Sequence, residues 1–68
     1  MIKINGTEKE LPANTTVSQY LETQGYRINL VAVERNGDIV PKSAYDTTVL
    51  QDLDEVEVVS YMISRNLE

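Results

Sequence analysis

Neither cysteine nor histidine occurs in this chain of 68 residues. The first absence excludes a disulfide scaffold and a thiolate nucleophile. Together the two exclude thiolate or imidazole metal ligation and any triad built on a histidine base. Most enzyme chemistry goes with them, so a non-enzyme is expected. Long apolar runs are missing too: nothing approaches the roughly 20 apolar residues that a membrane helix needs. The opening Met1-Ile2-Lys3-Ile4-Asn5 alternates like a strand and has no apolar signal-peptide core. A soluble, cytoplasmic protein without a membrane partner is the expectation. Basic residues are few, 6 against 11 acidic ones, giving a net charge of −5. Such a chain has no counterion-release drive onto a phosphate backbone, which argues against nucleic acid. The same charge suits a basic protein surface, or simply solubility. Glycine is scarce, with 3 residues. None of them opens a glycine-rich strand-to-helix turn, so nucleotide binding has no support and no cofactor is expected.

What is present reads as one small α+β domain, 41% apolar. Ile2 and Ile4 alternate with Lys3, and Asn5-Gly6 supplies the two positive-φ positions of a tight type I′ turn. The return, residues 7–11, is mostly polar and reads as a solvated edge strand stopped by Pro12. Residues 16–24 form the helix candidate. Thr16 is its N-cap, Gln19 completes a capping box, and Val17, Tyr20 and Leu21 share one face. Gly25 fits the left-handed position that ends many helices. Leu30-Val31-Ala32-Val33 is apolar on both faces, as in an interior strand. Asn36-Gly37 repeats the hairpin signal, and Asp38-Ile39-Val40 returns to Pro41. Lys42-Ser43-Ala44-Tyr45 fits one short helical turn. Thr47-Thr48-Val49-Leu50 reads as a further short strand, 51–54 as a turn, and 55–61 as the last strand. A helix across one face of a mixed sheet of four or five strands is a two-layer arrangement. There is no repeat, linker or low-complexity stretch.

Carboxylates are the first candidates for chemistry. The cluster Asp52, Asp54, Glu55 and Glu57 lacks the glycine and distal glutamate of a calcium loop. It also lacks a partner that would split two carboxyl pKa values for acid–base work. Asp52 and Asp54 are expected to serve the turn through nearby backbone amides, and Glu55 and Glu57 to face solvent. No metal site follows. Tyr20, Tyr26, Tyr45 and Tyr61 are too dispersed for a stacking platform and read as core or rim. The end of the last strand is more promising. If Val56 and Val58 face the core, Val59 and Tyr61 lie outside, with Met62 following. Val59, Tyr61 and Met62, with Glu55 and Glu57 beside them, are the expected partner interface. The competing expectation is that the helix or a loop covers this cluster.

Val31-Ala32-Val33-Glu34-Arg35-Asn36-Gly37-Asp38-Ile39-Val40-Pro41-Lys42 resembles the small sulfur-carrier proteins of thiamine biosynthesis, the ThiS family. Tyr45, Val49, Leu50, Asp52 and Asp54, leading into Val56-Glu57-Val58-Val59-Ser60-Tyr61, add a second match. The resemblance runs over residues 1–62 in length and element order. It implies a β-grasp fold, shared with the molybdopterin sulfur carriers and ubiquitin. It also implies a mechanism. In the family a C-terminal Gly-Gly carboxylate is adenylated by an ATP-using activating enzyme and converted to a thiocarboxylate, whose sulfur passes to thiazole synthase. The carrier is a cosubstrate, acting as a monomer by itself. Ile63 and Ser64 stand where those glycines belong, and Arg65-Asn66-Leu67-Glu68 extend beyond them. A β-branched isoleucine is stiff and fits poorly in a channel shaped for glycine. The expected organisation is therefore a β-grasp domain over 1–62 and an exposed tail over 63–68. The altered tail has three readings: Leu67-Glu68 as a cloning remnant on a changed terminus, divergence away from the carrier role, or trimming by processing, against which stands the lack of an upstream Gly-Gly to be exposed. The function expected is a ThiS-like sulfur carrier; the alternative is a ubiquitin-like interaction module that transfers no sulfur.

Overall fold

Lys3 is exposed while Ile2 and Ile4 on either side of it are buried, so strand β1 (Ile2–Ile4) lays one face on the core. Asn5 and Gly6 follow with φ of 51° and 82°, the two left-handed residues that a type I′ turn demands. The chain returns as β2 (Thr7–Lys9), antiparallel to β1 and mostly exposed. The same device recurs between β3 (Val31–Arg35) and β4 (Asp38–Val40), where Asn36 and Gly37 take φ of 52° and 88°. The last strand is β5 (Glu55–Ser60). The computed structural model describes residues 1–60. The expected end of the last strand at Tyr61, the interface residue Met62, and the tail with Ile63 and Ser64 lie outside the described residues.

Helix α1 (Val17–Thr23) starts where its cap does. The Gln19 backbone N–H donates to the Thr16 hydroxyl at 3.1 Å, and the Thr16 N–H donates to the Gln19 side-chain carbonyl at 3.0 Å. Two of the amides that a helix start leaves orphaned are thereby satisfied. Gly25 follows the C-cap Gln24 with φ of 80°, as expected. Because α1 has only 7 residues, its stability comes from packing and capping and not from length. Replacing Thr16 with alanine is expected to cost about 1 kcal/mol. Urea unfolding would register this as a lower midpoint with an unchanged slope.

The sheet order is β2-β1-β5-β3-β4. β5 therefore lies in the middle, parallel to β1 and antiparallel to β3. Val17, Tyr20 and Leu21 of α1 are buried in the same core as Ile2, Val33 and Val58. Tyr45 joins this core, and Tyr26 packs at its rim. A mixed five-stranded sheet carrying one helix is the α+β arrangement that the sequence leads one to expect.

Two expected elements differ. Leu30 ends a 3-10 turn (Ile28–Leu30), and the strand begins one residue later, at Val31. Residues 47–50 form no strand of the sheet: Val49 makes a single antiparallel bridge with Thr16. The Val17 N–H donates to the Thr48 carbonyl and the Leu50 N–H to the Thr15 carbonyl, both at 2.9 Å. This segment spends its pairing capacity on the approach to α1, which anchors buried Leu50 beneath the helix start. The short helical turn expected at 42–45 is present as Lys42–Ala44.

Candidate functional site

Asp54 sets the start of the central strand. Its neighbour Leu53 adopts φ of 72°, a left-handed conformation that costs a leucine about 1–2 kcal/mol. The Leu53 N–H donates to the Met1 carbonyl at 2.8 Å, which ties this bend to the start of β1. The Asp54 side chain is buried, and one carboxylate oxygen accepts from the Gln51 N–H and from Arg35 Nε, both at 2.8 Å. Its other oxygen accepts from Asn36 Nδ2 at 2.9 Å. Burial opposes ionisation, but the bonds from Gln51, Arg35 and Asn36 outweigh it and hold the carboxyl below its ordinary value. Asp54 thus serves the turn, as expected, and also ties it to the β3–β4 hairpin through Arg35 and Asn36. Asp52 does otherwise: it stays exposed and pairs with the amino terminus of Met1.

Two asparagines hold β5 from opposite sides. Asn5 Oδ1 accepts from the Val58 N–H at 2.8 Å and Nδ2 donates to the Val58 carbonyl at 3.3 Å. The side-chain amide continues the ladder where β1 has turned away. On the β3 side, Asn36 Oδ1 accepts from the Glu55 N–H at 2.9 Å, and its own N–H donates to the Glu55 carbonyl at 2.7 Å. Asn-Gly at these positions signals the turn, but not this second duty. The clue is the choice of asparagine over aspartate, because only the amide brings both a donor and an acceptor to a strand edge.

With β5 fixed, its faces are fixed. Val56 and Val58 point into the core, while Glu55, Glu57 and Val59 are exposed. Val59 is 55% exposed, so neither α1 nor a described loop covers it. Of the expected interface residues, Glu55, Glu57 and Val59 lie on one outer face; Tyr61 and Met62 are outside the described residues. That face also holds residues the sequence did not single out. Ala32 lies opposite Val59, Glu34 opposite Glu57, and Ile39 opposite Glu34. A groove of about 490 Å³ lies elsewhere, between Met1, Leu11, Asn14, Val49 and Asp52, and takes no residue from β5. Among the described residues no cluster of acidic side chains is arranged to hold a metal ion. Nor is any helix among them long and apolar enough to cross a membrane.

The central strand β5 is the last strand among the described residues, and residues 2–62 of the chain match the ThiS family model. The chain belongs to the ThiS family. Its fold resembles the crystal structure of the thiamine biosynthesis protein (ThiS) from Geobacter metallireducens, with a TM-score of 0.75 at 26% identity. That alignment covers 90% of this chain and 93% of the other. The solution structure of the Geobacter metallireducens protein gives a TM-score of 0.76 at 27% identity, covering 98% and 90%. Among curated proteins, a thiazole synthase of Paramagnetospirillum magneticum is 42% identical over 59 residues, covering 87% of this chain and 18% of that protein. A thiazole synthase of Magnetococcus marinus is 38% identical over 61 residues, covering 90% and 19%. The chain thus spans less than a fifth of the curated relatives it matches, each of which includes a ThiS-like segment in a much longer polypeptide.

Proposed function

We propose that this chain is a ThiS-type sulfur-carrier domain of thiamine thiazole biosynthesis, a cosubstrate and not a catalyst. The family match over residues 2–62 carries the reading. Its partners are an ATP-dependent activating enzyme and a thiazole synthase. The second is supported by the matching segment inside two thiazole synthase chains. In the reaction a tail carboxylate attacks the α-phosphorus of ATP, giving an acyl adenylate and releasing pyrophosphate. Sulfide released by a donor then attacks the acyl carbon, AMP leaves with the acyl–phosphate bond broken, the sulfur loses its proton, and a thiocarboxylate remains.

The chain's own residues bear on the first requirement, a tail that leaves from a defined point. Asn5 and Asn36 hold β5 against both neighbours, at Val58 and at Glu55, which supports a strand of fixed position up to Ser60. Glu55, Glu57 and Val59 present the docking face; Tyr61 and Met62, the other interface residues expected from the sequence, lie outside the described residues. Ile63 and Ser64 occupy the places of the family glycines, and favour a second reading as an interaction module without sulfur transfer.

The two readings separate in one experiment. The chain is incubated with the activating enzyme, ATP and a sulfur donor, and its intact mass is measured. The full sequence is expected to gain no sulfur-for-oxygen increment. A variant carrying Ile63→Gly and Ser64→Gly and ending at residue 64 is expected to gain it. Absence of the increment in both would reject the carrier reading.

A further inference from the structure

The geometry points to the outer face of β5, β3 and β4, where Glu57 opposes Glu34 beside Val59 and Ile39, as a docking face for a protein surface presenting an arginine framed by apolar side chains. This rests on the carrier-domain reading and names the chemistry of its partner.

The face has two rows that treat charge differently. In the first, Lys3 is in register with Glu8 on one side and Glu55 on the other, so a cation sits between two carboxylates. In the next, Glu57 and Glu34 are direct cross-strand partners, followed outward by Ile39. Directly opposed side chains have Cβ atoms about 4.5–5.5 Å apart, and like charges there are destabilising. Arg35, the nearest cation in sequence, does not relieve them, because its Nε is bonded to Asp54. Among the described residues the ion pairs are Met1 with Asp52 and Arg35 with Asp54, so neither glutamate is in one. The sheet therefore holds two uncompensated carboxylates side by side. Next to them Ile39 is 72% and Val59 55% exposed.

Charge decides what can cover this face. A second copy would bring four carboxylates together, and an anionic membrane or a nucleic acid would add phosphates. The chain's net charge of −5 opposes all three. A guanidinium relieves the repulsion instead: its five donors lie in a fixed planar fork that matches carboxylate geometry, and it gives up its water more readily than an ammonium does. Apolar contacts from the partner to Ile39, Val59 and Ala32 would exclude water and strengthen that pairing.

The test uses the full chain titrated calorimetrically into a thiazole synthase whose own polypeptide lacks a ThiS-like segment, at low and at high salt. Binding is expected to weaken with salt. The double variant Glu34→Gln, Glu57→Gln is expected to lose about tenfold or more in affinity and most of the salt dependence. Ile39→Ala should lose affinity and keep the salt dependence. Meanwhile the free double variant should melt about 2–4 °C higher than the parent, since a repulsion is gone. That combination, a more stable fold and a weaker complex, is not produced by a merely structural role. Parent binding with unchanged affinity in the double variant removes the face and leaves the carrier reading intact. No binding by the parent rejects both. A lower melting point in the double variant, or a homodimer of the parent that the variant abolishes, also refutes the proposal.

Discussion

Asp54→Ala is expected to cost about 2–4 kcal/mol of folding stability, because one carboxylate takes three hydrogen bonds in a buried place. The loss is not the sum of three bonds. Arg35 is partly exposed and Gln51 and Asn36 are exposed, so the three donors regain water in part when the carboxylate is removed. A chain of 68 residues has a total stability on the order of 5 kcal/mol, so this variant should sit near its unfolding midpoint at 37 °C. Asn36 would also lose a restraint, loosening its hold on Glu55 and hence on the strand that bears the proposed interface. The pH dependence follows from the direction of the shift. The folded-state carboxyl lies below its ordinary, unfolded value of 3.8. Its contribution is therefore complete above that value and is lost as pH falls from there through the folded-state pKa. Asp54→Asn removes the ionisable group. The stability gap between it and the parent should be constant above about pH 5 and shrink below about pH 4, as urea titrations across that range would measure. A gap that widened on acidification would contradict the assigned shift.

Leu21→Ala is expected to be at least as damaging, at about 2–5 kcal/mol. Leu21 is the most deeply buried side chain of α1, with 0% exposure, and lies between the helix and the sheet. Its loss removes apolar contacts and leaves a cavity that a 7-residue helix, clamped at Thr16, cannot readily close. Leu21→Met, which preserves volume, should cost less than about 1.5 kcal/mol. Thermal melts followed by circular dichroism would separate them, since about 1 kcal/mol moves a domain of this size by roughly 4–8 °C. If the two variants melted together, the helix-to-sheet packing would not be the main source of stability.

The features legible in the sequence are those whose physics is local. Thr16 and Gln19 cap each other across three residues, and each Asn-Gly pair dictates its own turn. The alternation of residues 55–60 fixed which side chains of β5 face the core, and the three interface residues that fall in β5 are exposed together. What stayed hidden depends on distant partners. Asn5 bonds a residue 53 positions away, and Asp54 meets an arginine 19 positions away. Residues 47–50 have the β-branched composition of a strand, yet their backbone partner is the approach to α1 and not the sheet. Ile39 and Glu34 looked unremarkable in their hairpin. Only the register of three adjacent strands brings them beside Glu57 and Val59.

The place of β5 has a mechanical consequence. Lys3 and Ile4 run parallel to Glu55 and Val56, so a pull on β1 at one end and on the segment after Ser60 at the other loads the pair in shear. In shear the bonds of the ladder bear the load together, whereas a peeled hairpin gives way one bond at a time. Asn5 adds two further bonds at Val58, and the β3 ladder shares the load on the far side. Tension applied beyond Ser60 is therefore shared across the sheet, and residues 1–60 respond to it as a rigid handle.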